Sequence, residues 1–276
     1  MKTSPFNRAS QDVGNIVELG HVNVQVPDQQ QAVIFYVMGL GLTRDPYLRT
    51  GIDNAWMNVG SCQFHLPTGP AQRLRGVTGL VMPDLGALLA RLASVQPLLK
   101  DSRFSFARSC DEGGDGVDVT CPWGNRIRVH APDAARFGAM TRGMSYVAID
   151  CVPGSAAGIA GFYSEILGAV ASTGEDAQGR FARITTGPAQ ALLFRETACE
   201  LPAYDGHHVQ IAVADFSGVH RRLLVRGLVT EESNQSQYRF QDITELDTGR
   251  VLATIEHEVR SMRHPLFARA LVNRSD

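Results

Sequence analysis

The sequence predicts an α+β fold assembled from four copies of one module, each a short alternating strand, an acidic or glycine-bearing turn and a helix, followed by further strands. Three observations carry this. The clearest copy reads Gly20-His21-Val22-Asn23-Val24-Gln25-Val26-Pro27-Asp28, and a second histidine-bearing copy reads Gly206-His207-His208-Val209-Gln210-Ile211-Ala212-Val213-Ala214-Asp215. Two degenerate copies lie between them, Gly76-Val77-Thr78-Gly79-Leu80-Val81-Met82-Pro83-Asp84 and Met144-Ser145-Tyr146-Val147-Ala148-Ile149-Asp150. The helix pair Phe35-Tyr36 recurs as Phe162-Tyr163. Setting Asp28 on Asp215 places His208 opposite His21, whereas setting it on Asp84 places Val77 there.

The first module spans about 16 to 67: a strand over 16–26, a helix over 29–38, then strands near Leu42, over 55–59 and over 63–66. In its first strand Val22, Val24 and Val26 alternate with His21, Asn23 and Gln25, so one face is apolar and His21 points away from the helix-packed side. The second module, 74–132, has a helix over 85–98 and a last hairpin turned at Pro122-Trp123-Gly124-Asn125 before a strand over 126–130. Its segment Asp111-Glu112-Gly113-Gly114-Asp115-Gly116 lacks the setting and lysine of a phosphate loop and reads as a hairpin turn. A connector near 132–140 separates the halves. The third module runs over 143–196 with a helix over 156–167, and the fourth over 206–260 with a helix over 216–226 and strands over 238–243 and 250–259. The basic tail, 261–276, packs as an extension.

Composition narrows the partners. Hydrophobic residues make up 44% and charged residues 20%, as in ordinary globular chains, and no apolar run is long enough to cross a bilayer. Net charge is −2 and the arginines are scattered, which leaves no footprint for nucleic acid or an anionic membrane. A small molecule is the expected partner, with a homodimer left open. Five cysteines without paired spacing, and a polar N-terminus without a secretory stretch, point to the cytoplasm. No serine nucleophile elbow appears.

The Val-Pro-Asp after a histidine-bearing strand, Phe35-Tyr36, Gly39-Leu40-Gly41-Leu42, and Pro122-Trp123-Gly124-Asn125 before an Ile-x-Val strand together resemble the vicinal oxygen chelate superfamily. That superfamily includes glyoxalase I, extradiol ring-cleaving dioxygenases and fosfomycin- or bleomycin-resistance proteins. The resemblance covers about 16 to 260. It implies four βαβββ-type modules paired into two curved-sheet half-barrels, the glyoxalase/dioxygenase fold, divided in chain order into 16–132 and 143–260, with a divalent metal held by first and last strands.

A metal site needs several imidazole or carboxylate donors converging from different strands, because one extended strand cannot bend its side chains around an ion. His21 and His208 hold matching first-strand positions, the last strand of the first module supplies His65, and aligning Ile255 with Phe64 sets Glu256 on His65. Glu258 lies on the same face and takes that place after a small register shift. The middle modules offer Val77, Arg128, Tyr146 and Leu193 or Phe194 instead. Pairing of sequence-adjacent modules leaves two donors per cavity; pairing of the first with the fourth gathers His21, His65, His208 and Glu256. Such a set suits iron(II) first, with manganese, zinc, nickel and cobalt left open. Tyr238 is expected to face the cavity as a proton donor and Glu258 to act as a base; His207, His257 and His264 are expected to be structural, and Arg128 to hold an ion pair.

The expected function is therefore metal-dependent, first a dioxygenase acting on a catechol-like or enediol substrate that chelates through oxygen. A glyoxalase-type isomerase or lyase and a non-catalytic resistance-type binder are the alternatives.

Overall fold

The computed structural model describes residues 6–48, 51–111 and 114–274. Among these residues sixteen strands and five α-helices follow one another in the repeating order expected. The first module holds β1 (Ile16–Asn23), α1 (Gln29–Ala32, continued by a π-helical segment Val33–Gly39), β2 (Thr43–Arg44), β3 (Asn54–Val59) and β4 (Cys62–Pro67). The second holds β5 (Gly76–Val81), α2 (Leu85–Val95), β6 (Ser105–Asp111), β7 (Gly114–Thr120) and β8 (Arg126–His130). A single helical turn, α3 (Ala134–Phe137), forms the connector. The third module holds β9 (Gly143–Cys151), α4 (Ala156–Leu167), β10 (Ala171–Asp176), β11 (Gly179–Thr185) and β12 (Ala191–Glu196). The fourth holds β13 (His208–Val213), α5 (Phe216–Val225), β14 (Val229–Asn234), β15 (Gln237–Thr244) and β16 (Val251–Ser261). β6 and β7 form the hairpin predicted for the glycine-rich segment; Glu112 and Gly113 lie outside the described residues.

The repeated aspartate has a local cause. Asp28, Asp84 and Asp215 each stand at the N-cap of a helix and accept from backbone N–H groups one turn in, satisfying donors that the helix itself cannot. In the third module Ser155 holds that position without capping, and Glu196 of the neighbouring β12 accepts from Ala156 N at 2.9 Å instead. In this module the cap comes from the neighbouring strand.

The strands make two eight-stranded curved sheets, ordered β14-β15-β16-β13-β1-β4-β3-β2 and β10-β11-β12-β9-β5-β8-β7-β6. The first module thus joins the fourth, and the second joins the third. The chain-order division at 132–143 is not the division of the sheets: each sheet takes one module from either side of it. The seams are antiparallel, β1 against β13 with Val22 opposite Val209, and β5 against β9.

On each sheet the apolar residues of the alternating strands face the helices. Phe35, Tyr36, Phe162, Tyr163, Phe194 and Phe240 are fully buried in one apolar cluster that runs through both sheets, each aromatic stabilising by about 1.5–3 kcal/mol on burial. His257 lies on this helix-packed side. It stacks on Phe240 at 4.4 Å between ring centres, and its Nε2 receives the Tyr163 hydroxyl at 2.6 Å while Nδ1 donates to the Ile255 carbonyl. It is structural, as expected. Burial lowers its pKa to about 3.

That depression sets a pH dependence. The unfolded imidazole takes a proton near pH 6.5 and the folded one does not, so stability present above pH 6.5 is lost as pH falls toward 3. At pH 5 the loss from this residue is about 2 kcal/mol. Urea unfolding of His257→Phe at pH 7 and pH 5 checks it: the variant should lose less stability on acidification than the parent, and equal losses would contradict the assignment.

Candidate metal centre

On the face turned away from the helices, the first sheet arrays its polar side chains in cross-strand rows. In one row Trp56, His65, Asn23, His208 and Glu256 stand side by side on β3, β4, β1, β13 and β16. In the adjacent row Asn58, Gln63, His21, Gln210, Glu258 and Arg239 do the same, ending on β15. Residues in register share a face because side chains alternate along each strand. The seam between β1 and β13 therefore brings together histidines from opposite ends of the chain.

His21, His65 and His208 converge. Each offers a ring nitrogen lying within 4.8 Å of those of the other two, and theirs is the one such group among the described residues. His21 and His208 are 1% and 6% exposed. The Nε2 atoms of all three are buried without a hydrogen-bond partner. Burial drives His21 and His208 well below the usual histidine pKa and His65 down to about 3, with the nearby Arg260 and Arg239 charges adding to it. Three neutral imidazoles with unclaimed lone pairs are what a divalent cation requires. Donors around a tetrahedral ion at about 2.1 Å stand roughly 3.4 Å apart, so small side-chain rotations would bring this set to bonding distance. Trp56 fixes the His65 ring by stacking on it at 3.8 Å and meets His21 edge-on at 5.0 Å.

The structure does not gather Glu256 with the three imidazole donors. β1 and β4 pair so that His21 faces Gln63, and β13 and β16 pair so that His208 faces Glu256. Gln63 is thus the counterpart of Glu256, and His65 that of Glu258; the expected alignment was displaced by two residues, which keeps the same face. The Glu256 carboxylate is engaged by Arg239 and lies 3.3 Å from His208 Nδ1. Glu258, 4% exposed, lies on the other side of that ring, with Oε2 3.7 Å from Nε2. It is held by Arg239 at 2.9 Å and Arg260 at 2.7 Å.

Tyr238 requires a correction. It sits on the helix-packed face, in register with Val259, its ring against Phe216 and His220 and its hydroxyl donating to the Phe216 carbonyl at 3.3 Å. It cannot reach the histidines. His207 also faces away: Asp205 lies 2.6 Å from its Nδ1. His264 follows β16, and its Nδ1 accepts from Leu266 N at 3.2 Å.

The second sheet shows what the same scaffold becomes without donors. Its register sets Val77, Arg128, Tyr146 and Leu193 at the positions of His21, His65, His208 and Glu258. Arg128 pairs with Asp118 at 2.8 Å, and Tyr146 bonds His130 at 3.0 Å. Gly79 has no side chain because a Cβ there would stand 2.2 Å from the Tyr146 ring.

Several site residues escaped the sequence reading. Asn23 and Gln210 flank the histidines two positions along each strand, a signal the alternation already contained. The tail left no such signal: Arg269 reaches Asp45 at 2.5 Å, Asn58 bonds the Val272 carbonyl at 2.8 Å, and Asn273 bonds Gly60, closing one side of the site. Asp45 in turn accepts from Gln63 Nε2, the neighbour of His21.

Against known structures, the chain has the fold of the vicinal oxygen chelate superfamily, as the resemblance implied. It is similar to glyoxalase I from Zea mays at 13% identity, covering 91% of this chain and 94% of that one with a TM-score of 0.63. It is similar to a Bacillus subtilis protein provisionally named a dioxygenase, at 15% identity, 91% and 87% coverage and a TM-score of 0.60. No protein-family model and no curated protein matches the sequence. No helix among the described residues is long and apolar enough to cross a membrane.

Elemental analysis of tag-free protein checks the ligand set. His21→Ala and His208→Ala should each lose bound metal. Tyr238→Phe should retain it, at a stability cost of about 1 kcal/mol for one lost hydrogen bond. Full metal content in His21→Ala would contradict the site.

Proposed function

We propose that this protein is a divalent-metal enzyme that takes a small substrate through two adjacent oxygens and, with iron(II), cleaves it using O2. The observation that carries the reading is the cluster of three buried, neutral imidazoles with unpartnered Nε2 atoms. Three imidazole donors suit iron among other divalent ions and leave coordination positions open for oxygen ligands. A bound ion would polarise both substrate oxygens and, as iron(II), supply the redox chemistry. The similarity in fold to the Bacillus subtilis protein supports the same direction.

The chain's own residues supply the rest. The His65 ring is kept in place by Trp56, and Glu256 lies where it orients His208 through Nδ1, leaving Nε2 for the cation. Glu258 is placed to take a proton from a ligand lying beside His208. Burial of the face excludes bulk water and strengthens each of these interactions.

A second reading rests on Glu258. A carboxylate beside the imidazoles, with Tyr238 packed on the opposite face, suits proton abstraction next to a carbonyl, the chemistry of a glyoxalase-type isomerase or lyase.

Anaerobic loading with iron(II), zinc or nickel separates the readings. The proposal predicts O2 consumption with catechol- or enediol-type substrates by the iron form alone, abolished in His21→Ala. Exchange of the α-proton of an α-hydroxycarbonyl into deuterated solvent by the zinc or nickel form, without O2 uptake, would establish the second reading. Failure to take up any of these metals would leave a binding protein and end both.

A further inference from the structure

Two carboxamides on the face of the metal site each hold a buried polar atom without a hydrogen-bond partner. Gln210 is 2% exposed and its Nε2 has no partner; Asn23 is 4% exposed and its Oδ1 has none. Each stands within a row of the site, Gln210 between His21 and Glu258, Asn23 between His65 and His208. An unsatisfied buried amide is costly, and two among three unsatisfied imidazoles are a cost concentrated on one spot. The backbone also makes room for one of them. A Cβ on Gly20 would stand 1.9 Å from Gln210 Oε1, so the amide lies across β1 at the residue before His21 only because that residue is glycine.

We propose that Gln210 and Asn23 are positioning residues for the small molecule that the site receives, Gln210 donating through Nε2 to an oxyanion and Asn23 accepting through Oδ1 from a hydrogen on the adjoining group. This rests on the metal-centre reading above and deepens it. The donor and acceptor together select a ligand whose two neighbouring heteroatom groups differ, one bearing a proton and one an oxyanion or carbonyl oxygen. A ligand of two equivalent deprotonated oxygens would leave Asn23 unsatisfied. Arg239 and Arg260 do not substitute for the pair, because their charges are already taken up by Glu256 and Glu258. A neutral donor in a desolvated site is effective toward an oxyanion because it needs no reorganisation to meet it.

The test uses cobalt(II) as the metal and acetohydroxamate, which has two adjacent oxygens and one N–H, as the probe, both followed in the visible spectrum. Gln210→Met and Asn23→Leu should bind cobalt(II) within about threefold of the parent and acetohydroxamate about tenfold more weakly, the loss of one hydrogen bond each. Gly20→Ala, which retains Gln210 but displaces its amide, should reproduce Gln210→Met. In the metal-free state both Gln210→Met and Asn23→Leu should raise the thermal midpoint by about 2 °C or more, because each removes an unsatisfied buried group. A scaffolding role would lower it.

Unchanged acetohydroxamate affinity in Gln210→Met and Gly20→Ala would overturn the proposal, as would loss of cobalt(II) from either carboxamide variant, which would make that residue a ligand or a support. If Asn23→Leu does not fold, the Gln210 and Gly20 variants still decide. A parent protein that takes up no cobalt(II) is a different failure, that of the metal centre itself.

Discussion

Everything distinctive about this protein depends on the antiparallel seam between β1 and β13. In it the Val22–Val209 pair is flanked along the strands by Asn23 opposite His208 on one side and His21 opposite Gln210 on the other, and the polar side chains share the open face. A slip of one residue in either strand would turn its polar set into the apolar core and its valines outward. The register is therefore fixed by the hydrophobic face, and the site is a by-product of that constraint. The same seam in the other sheet, between β5 and β9, has the apolar face and lacks the donors.

The centre is costly to maintain without a cation. Three imidazoles, two carboxamides and the Trp56 indole nitrogen all have buried atoms without partners on one face of one sheet. Natural interiors contain few such atoms, and a concentration of them is expected where a ligand completes the hydrogen-bonding or coordination. The charges, by contrast, are matched: Arg239 and Arg260 sit against Glu256 and Glu258. A divalent cation entering among neutral imidazoles would bring charge that nothing in the site neutralises, which is a physical reason to expect an anionic ligand to accompany it.

Much of this was readable in the chain. The fold followed from four alternating strands, three of them ended by an aspartate helix cap, and the histidines from the matching positions of His21 and His208 and the place of His65 on the last strand of the first module. The choice between Glu256 and Glu258 was not readable, because a two-residue shift preserves the face and only the pairing of β13 with β16 decides it. Tyr238 was misjudged for the opposite reason: its neighbours Gln237 and Arg239 are the residues that share the open face, and the alternation on β15 places Tyr238 with Phe240 in the core. The tail over Asp45 and Asn58 has no periodicity to betray it, and its docking depends on contacts between residues more than two hundred positions apart.

X-ray absorption of the zinc- or cobalt-loaded parent tests the central claim most directly, since it reports the ligands without assuming a substrate. The account predicts three imidazole nitrogens at about 2.0–2.1 Å, with the outer-shell scattering typical of histidine rings and the remaining positions filled by oxygen. A spectrum fitted by oxygen alone, or by a single imidazole, would contradict it.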